Sequence, residues 1–147
     1  MGVICPCGVL VSAVSQNNNV RFTGQTGTVR GNLTYLADVC VTTLDASTLS
    51  LTFVDTETPG QNNFTFTANG TITSVTCRRE GQNCVVTVMG TGFVNGQQFP
   101  FTAVFRDQVA TAANDNVQSF VITGFFDQNG AAPVLQGSIT ALGCQEL

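Results

Sequence analysis

The sequence contains no lysine, no histidine and no tryptophan, and only 10% of its 147 residues are charged. Without histidine or lysine there is no Ser-His-Asp or Cys-His pair, no Schiff-base lysine and no Walker lysine. Five arginines against nine carboxylates leave a net charge of -4, so the chain lacks the basic surface that binds phosphate backbones and anionic lipids. We therefore expect no nucleic-acid or membrane partner, and most enzyme classes are excluded.

The carboxylates are the remaining candidates for catalysis. Two of them would suffice for a glycosidase, but such enzymes hold sugars with aromatic side chains, and this chain has one tyrosine beside eleven phenylalanines that core packing explains. None of the dispersed acids repeats at the alternate positions of a calcium loop. We expect a protein that is not an enzyme and that uses no metal or cofactor. The acids considered are Asp38, Asp45, Asp55, Glu57, Asp107, Asp115, Asp127 and Glu146.

Period-two alternation of apolar and polar residues fills the chain from Gly8 onward, as in residues 49–53 (LSLTF). This alternation is typical of half-buried strands. Roughly ten such runs at 8–12-residue spacing indicate an antiparallel sandwich, jelly roll or barrel. We predict an all-β fold, a single antiparallel β-sandwich or jelly roll over residues 9–147, preceded by a cysteine-bearing connector arm of residues 1–8.

Turn and breaker residues refine this prediction. The Asn-Gly pairs at residues 69–70, 95–96 and 129–130 each predict a two-residue type I′ hairpin. Pro100 removes a ladder donor, so its strand is predicted to lie at a sheet edge or to begin late. Residues 108–116 (QVATAANDN) show no apolar periodicity and are predicted to form a loop.

Six cysteines in a polar chain without lysine favour an oxidising final environment. Cys77 and Cys84 flank a polar loop between two strand-like runs. We predict that an intramolecular disulfide joins them and clamps a hairpin.

The other four cysteines leave several pairings open. Cys5 and Cys7 are separated by a proline in an extended segment, so we do not expect them to bond to each other. Their partners are then Cys40, Cys144 or cysteines of another chain, and pairing within one chain is the plainest alternative. A zinc site at Cys5 and Cys7 is disfavoured, because their spacing is too short and no histidine is available.

Residues 1–16 (MGVICPCGVLVSAVSQ) indicate neither a signal peptide nor a membrane span. No lysine or arginine precedes the apolar residues, and Pro6 and Ser12 interrupt them. A classical signal peptide requires a basic region followed by an uninterrupted apolar run.

The layout of the chain resembles that of the subunits of bacterial endospore appendages: a cysteine-bearing arm, then one β domain rich in Thr, Val, Gly and Asn with further cysteines. The resemblance implies a jelly roll that polymerises by edge-to-edge sheet augmentation. It also implies intermolecular disulfides from Cys5 and Cys7, with Cys40 and Cys144 as candidate acceptors on other subunits. The resemblance further implies release of the protein by cell lysis, which agrees with the expectation that the chain has no signal peptide.

The expected function is therefore that of a structural subunit of an extracellular or spore-surface fibre whose partners are identical copies. Scarce charge supports this expectation, because little like-charge repulsion opposes the close packing of copies. One alternative is a secreted ligand-binding or adhesin module that uses residues 17–19 and 97–98. The other is a phage or capsid jelly roll.

Overall fold

The computed structural model describes residues 5–58, 61–81, 83–108, 115–128, 130–134 and 136–142. Within them the chain forms antiparallel β-strands and one 3-10 helix, Val41–Ala46, so the predicted all-β class is confirmed. The strands are β1 Gly8–Phe22, β2 Val29–Cys40, β3 Thr48–Asp55, β4 Phe64–Asn69, β5 Ile72–Glu80, β6 Asn83–Val94, β7 Gln97–Gln108, β8 Asn116–Ile122, β9 Phe126–Asp127, β10 Ala132–Pro133 and β11 Gln136–Leu142.

The sheet closes into an eight-stranded barrel, which corrects the prediction of a sandwich or jelly roll. Around the ring the order is β1-β2-β3-β4-β6-β7-β8-β9, and β9 pairs with both β1 and β8. Closure depends on the length of β1. Its first half pairs with β11 and its end pairs with β9, on either side of a register shift between Ser15 and Asn18. Asn17, at φ 59°, lies in this bulge, and a bulge bends and twists a strand enough to change its neighbour.

The two ends of the barrel differ. Near the start of β1, strands β5 and β11 lie off the closed ring as additional neighbours of β6 and β1. At the other end, Arg21 and Phe22 of β1 pair with β9, and only Thr67 and Phe93 join β4 to β6. Residues 9–11 are paired on both sides by β2 and β11 of the same chain.

The barrel interior is filled as the alternation predicts. Residues 49, 51 and 53 of β3 are at most 2% exposed, and the residues between them are less buried. A small residue makes room for a large one where a Cβ on Gly92 would collide with the ring of Phe66.

The interior also holds one hydrogen-bonded polar pair. Tyr35 donates a hydrogen bond to Gln128, whose amide donates to the carbonyl of Val117 at 2.8 Å. Burial raises the pKa of the Tyr35 hydroxyl, so this internal pair is neutral.

One of the three predicted Asn-Gly turns is confirmed. Asn95 and Gly96 have φ values of 52° and 80°, as a type I′ turn requires, and they join the paired strands β6 and β7. The prediction at residues 69–70 is wrong, because β4 pairs with β3 and not with β5, and the Gly70 amide donates to the Ser47 carbonyl. Residue 129 lies outside the described residues.

Pro100 lies in β7, which is a central strand between β6 and β8 and not an edge strand. The strand tolerates the proline because its pairing with β8 begins only at Phe101. The carbonyl of Pro100 accepts a hydrogen bond from Thr123 at 2.8 Å. Of the predicted loop at residues 108–116, residues 109–114 lie outside the described part of the chain.

Candidate functional site

The amino-terminal arm is fastened to two strands by disulfides within the chain. Cys5 bonds to Cys40 at the end of β2, and Cys7 bonds to Cys77 of β5, with Cα separations of 5.8 and 5.9 Å. The Val41 amide donates to the Cys7 carbonyl at 2.9 Å. Because β2 and β5 are not neighbours in the sheet, the arm ties β2 of the closed ring to β5, which lies outside the ring. We call residues 5–7 with Cys40 and Cys77 the stapled end.

Gly8 is the residue that allows the arm to lie this close. A Cβ at Gly8 would lie 2.8 Å from Cys5 Sγ and 3.1 Å from Cys40 Cα, and it would also collide with the Val39 carbonyl. These distances are shorter than van der Waals contact, so any side chain at this position would displace the disulfide or the strand.

The predicted Cys77–Cys84 disulfide is wrong. Strands β5 and β6 continue up to Glu80 and Asn83, so the expected polar loop is mostly paired strand. In that register Cys77 lies opposite Val86, and Cys84 lies opposite Arg79. Residues displaced by two positions in an antiparallel pair are about 7–8 Å apart, which is beyond the usual Cα separation in a disulfide.

The intermolecular roles predicted for Cys5, Cys7 and Cys40 are also wrong, since all three are bonded within one chain. The cause is proximity: Gly8, at the start of β1, pairs with Cys40, and the preceding Cys7 reaches Cys77 of β5. Cys84 is disulfide-bonded and 1% exposed. Cys144 lies outside the described residues.

Two buried carboxylates cover the outer edge of β11. The Ala141 amide donates to Asp107 Oδ2 at 2.8 Å, and the Ile139 amide donates to Asp115 Oδ2 at 3.0 Å. The exposed fractions of the two aspartates are 5% and 1%. Amides that would otherwise pair with a further strand are thus satisfied by side chains, a common way of blocking edge-to-edge association.

The arm and several charged side chains lie close to β5. The Cys7–Cys77 disulfide holds the arm against β5. Arg78 and Arg79 are the next two residues of this strand. Glu80 forms salt bridges with Arg78 and Arg106, the second at 2.6 Å between N and O. Hydrogen bonds from Arg106 and then Arg78 lower the pKa of Glu80 below its usual value. Charged side chains on an edge strand oppose pairing with another chain.

A small pocket opens at the mouth of the barrel, at the end opposite the staples. Its volume is about 200 Å³. Phe22, Phe64 and Phe125 form its floor and contact one another edge to face, with centroid separations of 5.8, 5.7 and 4.9 Å. Five amide side chains complete the lining, and among the described residues no charged side chain joins them. We call this the mouth pocket; its amides are Gln25, Gln61, Asn62, Asn63 and Asn95.

Asp55 fixes the rim of the mouth pocket. It is 1% exposed and accepts hydrogen bonds from the amides of Glu57 and Thr58, the Thr58 hydroxyl and the Asn62 side chain at 2.7–2.9 Å. Burial alone would raise the pKa of Asp55, but the bonds from Thr58, Asn62 and Glu57 lower it to about 2. The rim is therefore organised around a carboxylate that is ionised at neutral pH.

The ligand-binding residues proposed from sequence lie near this mouth without lining the mouth pocket. Residues 17–19 lie in and directly after the bulge of β1, where the Asn17 amide donates to Asn32 Oδ1 at 3.2 Å. Residues 97–98 begin β7, and Gln98 donates to the Thr91 hydroxyl. Sequence reasoning missed the mouth pocket because its lining comes from four separate turns and strand ends. The available signal was the amide-rich run at residues 61–63 directly before Phe64.

A second depression of about 400 Å³ is lined by residues of β1, β2, β3 and β4. It forms a groove beside Leu36, which is 51% exposed.

No cluster of three or more potential metal ligands occurs among the described residues. No helix in the described part of the chain is long and apolar enough to cross a membrane. No protein-family model, curated protein or solved structure matches the chain.

Proposed function

We propose that this protein is a non-enzymatic, extracellular binding module that works as a discrete, disulfide-fastened barrel. The observation that carries the proposal is the bonding of Cys5 and Cys7 to Cys40 and Cys77 of the same chain. An arm used in this way is not available to link subunits. Disulfides of this kind persist in oxidising environments outside the cytoplasm.

The sheet edges support the same proposal. A fibre built by sheet augmentation needs an accessible edge with unpaired amides. Asp107 and Asp115 occupy the edge of β11, while the arm and two arginines border β5. A further edge strand among the described residues, Ala132–Pro133, has two residues and contains a proline.

Oligomeric state under oxidising conditions tests this function. We expect the protein to elute as a monomer of about 15.4 kDa in light scattering and to run as a single band on a non-reducing SDS gel. Peptide mapping without reduction is expected to recover Cys5 with Cys40 and Cys7 with Cys77. A covalent ladder that disappears on reduction would refute the proposal and restore the linked fibre.

A second candidate is a non-covalent fibre of identical copies at an extracellular or spore surface. It is favoured by exposed apolar side chains on the outer wall, where Leu10 and Leu36 are 41% and 51% exposed on adjacent strands. Low charge would permit such faces to pack together. Reversible, concentration-dependent filaments without disulfide linkage would support this candidate, and Leu36→Ser should abolish them.

A further inference from the structure

We infer that the mouth pocket binds one residue of a neutral saccharide. This inference deepens the proposed binding function and rests on it. It is carried by three properties of the mouth pocket: its size, its aromatic floor, and amide groups that have no partner within the described protein.

The size of the pocket limits the ligand. Sites for drug-sized molecules have volumes of about 300–1,000 Å³, whereas the mouth pocket measures about 200 Å³. It therefore accommodates one small ring and not an extended cofactor. Mouths of β-barrels are common places for such sites, and an open mouth lets the rest of a chain-like ligand continue into solvent.

The floor presents a small apolar surface, in which Phe125 is the most exposed ring. Phe125 is partly exposed and lies edge to face against Phe64 and Phe22, which are each 7% exposed. Phe99 supports Phe125 from the side, with ring centroids 5.4 Å apart. A sugar ring has an apolar C–H face, which packs on aromatic rings and leaves the hydroxyls at its edge.

The rim supplies unused hydrogen-bonding groups. The side chains of Gln61 and Asn95 make no hydrogen bond within the described residues. Asn63 uses only its Oδ1, which accepts from the Asp55 amide at 2.7 Å, and its Nδ2 remains available. Gln25 uses only its Nε2, toward Asn62 at 3.4 Å. Amides offer both donors and acceptors, which is what hydroxyl groups require.

The uncharged lining of the mouth pocket determines which polar ligands it can bind. No arginine or carboxylate lines it within the described chain, so nothing there compensates a carboxylate, sulfate or ammonium group. Asp55, the carboxylate that is bonded to the lining residue Asn62, already accepts hydrogen bonds from Thr58 and Asn62. A neutral sugar is therefore favoured over an acidic or amino sugar, because a charged group would lose hydration without gaining a partner.

The test is an NMR titration of the ¹⁵N-labelled full chain. The probes are the methyl glycosides of glucose, galactose, mannose and N-acetylglucosamine, with glucuronic acid and glucosamine as charged comparators. We expect at least one neutral glycoside to shift the amides of Asn63, Asn95 and Phe125 in a saturable way. We expect a dissociation constant in the millimolar range, because a single sugar ring contacts few groups.

Two variants remove rim groups without disturbing the barrel. Asn95→Gly preserves the positive φ of the turn, and Gln61→Ala removes an exposed amide. Together they should weaken binding by about tenfold or more, whereas Gln16→Ala, an exposed glutamine on β1, should have no effect. Spectral dispersion of the free variants reports whether each is folded.

Three outcomes would overturn the inference: no saturable shift with any neutral glycoside, shifts centred on the groove beside Leu36, or equal binding of the charged comparators. Failure here is distinguishable from failure of the proposed function. The protein would remain a disulfide-closed monomer by light scattering even if no saccharide entered the mouth pocket.

Discussion

Removal of the Cys7–Cys77 disulfide is the sharpest test of the stapled end. The bond spans 70 residues of sequence. With Cys5–Cys40 retained, the shortest covalent path between Cys7 and Cys77 is about 40 residues, because it crosses the disulfide from Cys5 to Cys40. Closing a loop of that size lowers the entropy of the unfolded chain by an amount equivalent to about 4 kcal/mol at 25 °C.

The double variant Cys7→Ser, Cys77→Ser should therefore lose about 4 kcal/mol of unfolding free energy, a large part of the 5–15 kcal/mol typical of a domain. With a urea m value of about 2 kcal/mol/M, the midpoint should fall by about 2 M. Far-UV circular dichroism measures the transition, and the folded baseline should remain β-rich, since the barrel strands keep their pairing. Wild-type protein in excess reductant should be destabilised at least as strongly.

An unchanged urea midpoint in this variant would refute the reasoning, because an arm joined to another chain or not joined at all contributes nothing to the loop entropy of a monomer. The matched variant Cys5→Ser, Cys40→Ser provides the control. It opens a ring of about 35 residues, so its loss should be similar. A large loss in one variant alone would mean that the effect comes from side-chain packing and not from chain closure.

Three further predictions follow from single side chains. Asp55 has a pKa of about 2, against 3.8 for an ordinary aspartate. Its contribution to stability is therefore complete above about pH 4 and is lost as the pH falls toward 2. The thermal midpoint of the wild-type protein should fall over this pH range, and that of Asp55→Asn should change less. Asp107→Ala should leave the Ala141 amide unsatisfied, costing about 1–3 kcal/mol and accelerating hydrogen exchange at Ala141 ahead of the amides of β3; equal protection would contradict the edge-capping role. Gly92→Val should force the ring of Phe66 out of place and lower the free energy of unfolding by about 1–3 kcal/mol, measured by urea denaturation; full stability would show that the site has spare room.

The strand content followed from the sequence alone. Alternation at residues 49–53 predicted which side chains of β3 are buried, because successive side chains on a strand point to opposite faces. The Asn95-Gly96 turn was equally readable, since few residues tolerate two successive positive φ values. These features depend on residues that are neighbours in the chain, and the chain itself encodes them.

The disulfides, the closure of the barrel and the mouth pocket were decided only by tertiary structure. Cys7 pairs with Cys77 because β1 and β5 meet at one end of the barrel, and spacing along the chain carries no record of that meeting. Cys84 is near Cys77 in sequence, but the register of β5 and β6 separates them by two positions. Closure depends on one bulge at Asn17 and a two-residue strand, Phe126–Asp127. Such long-range pairings are set by the geometry of the whole sheet, which no local pattern specifies.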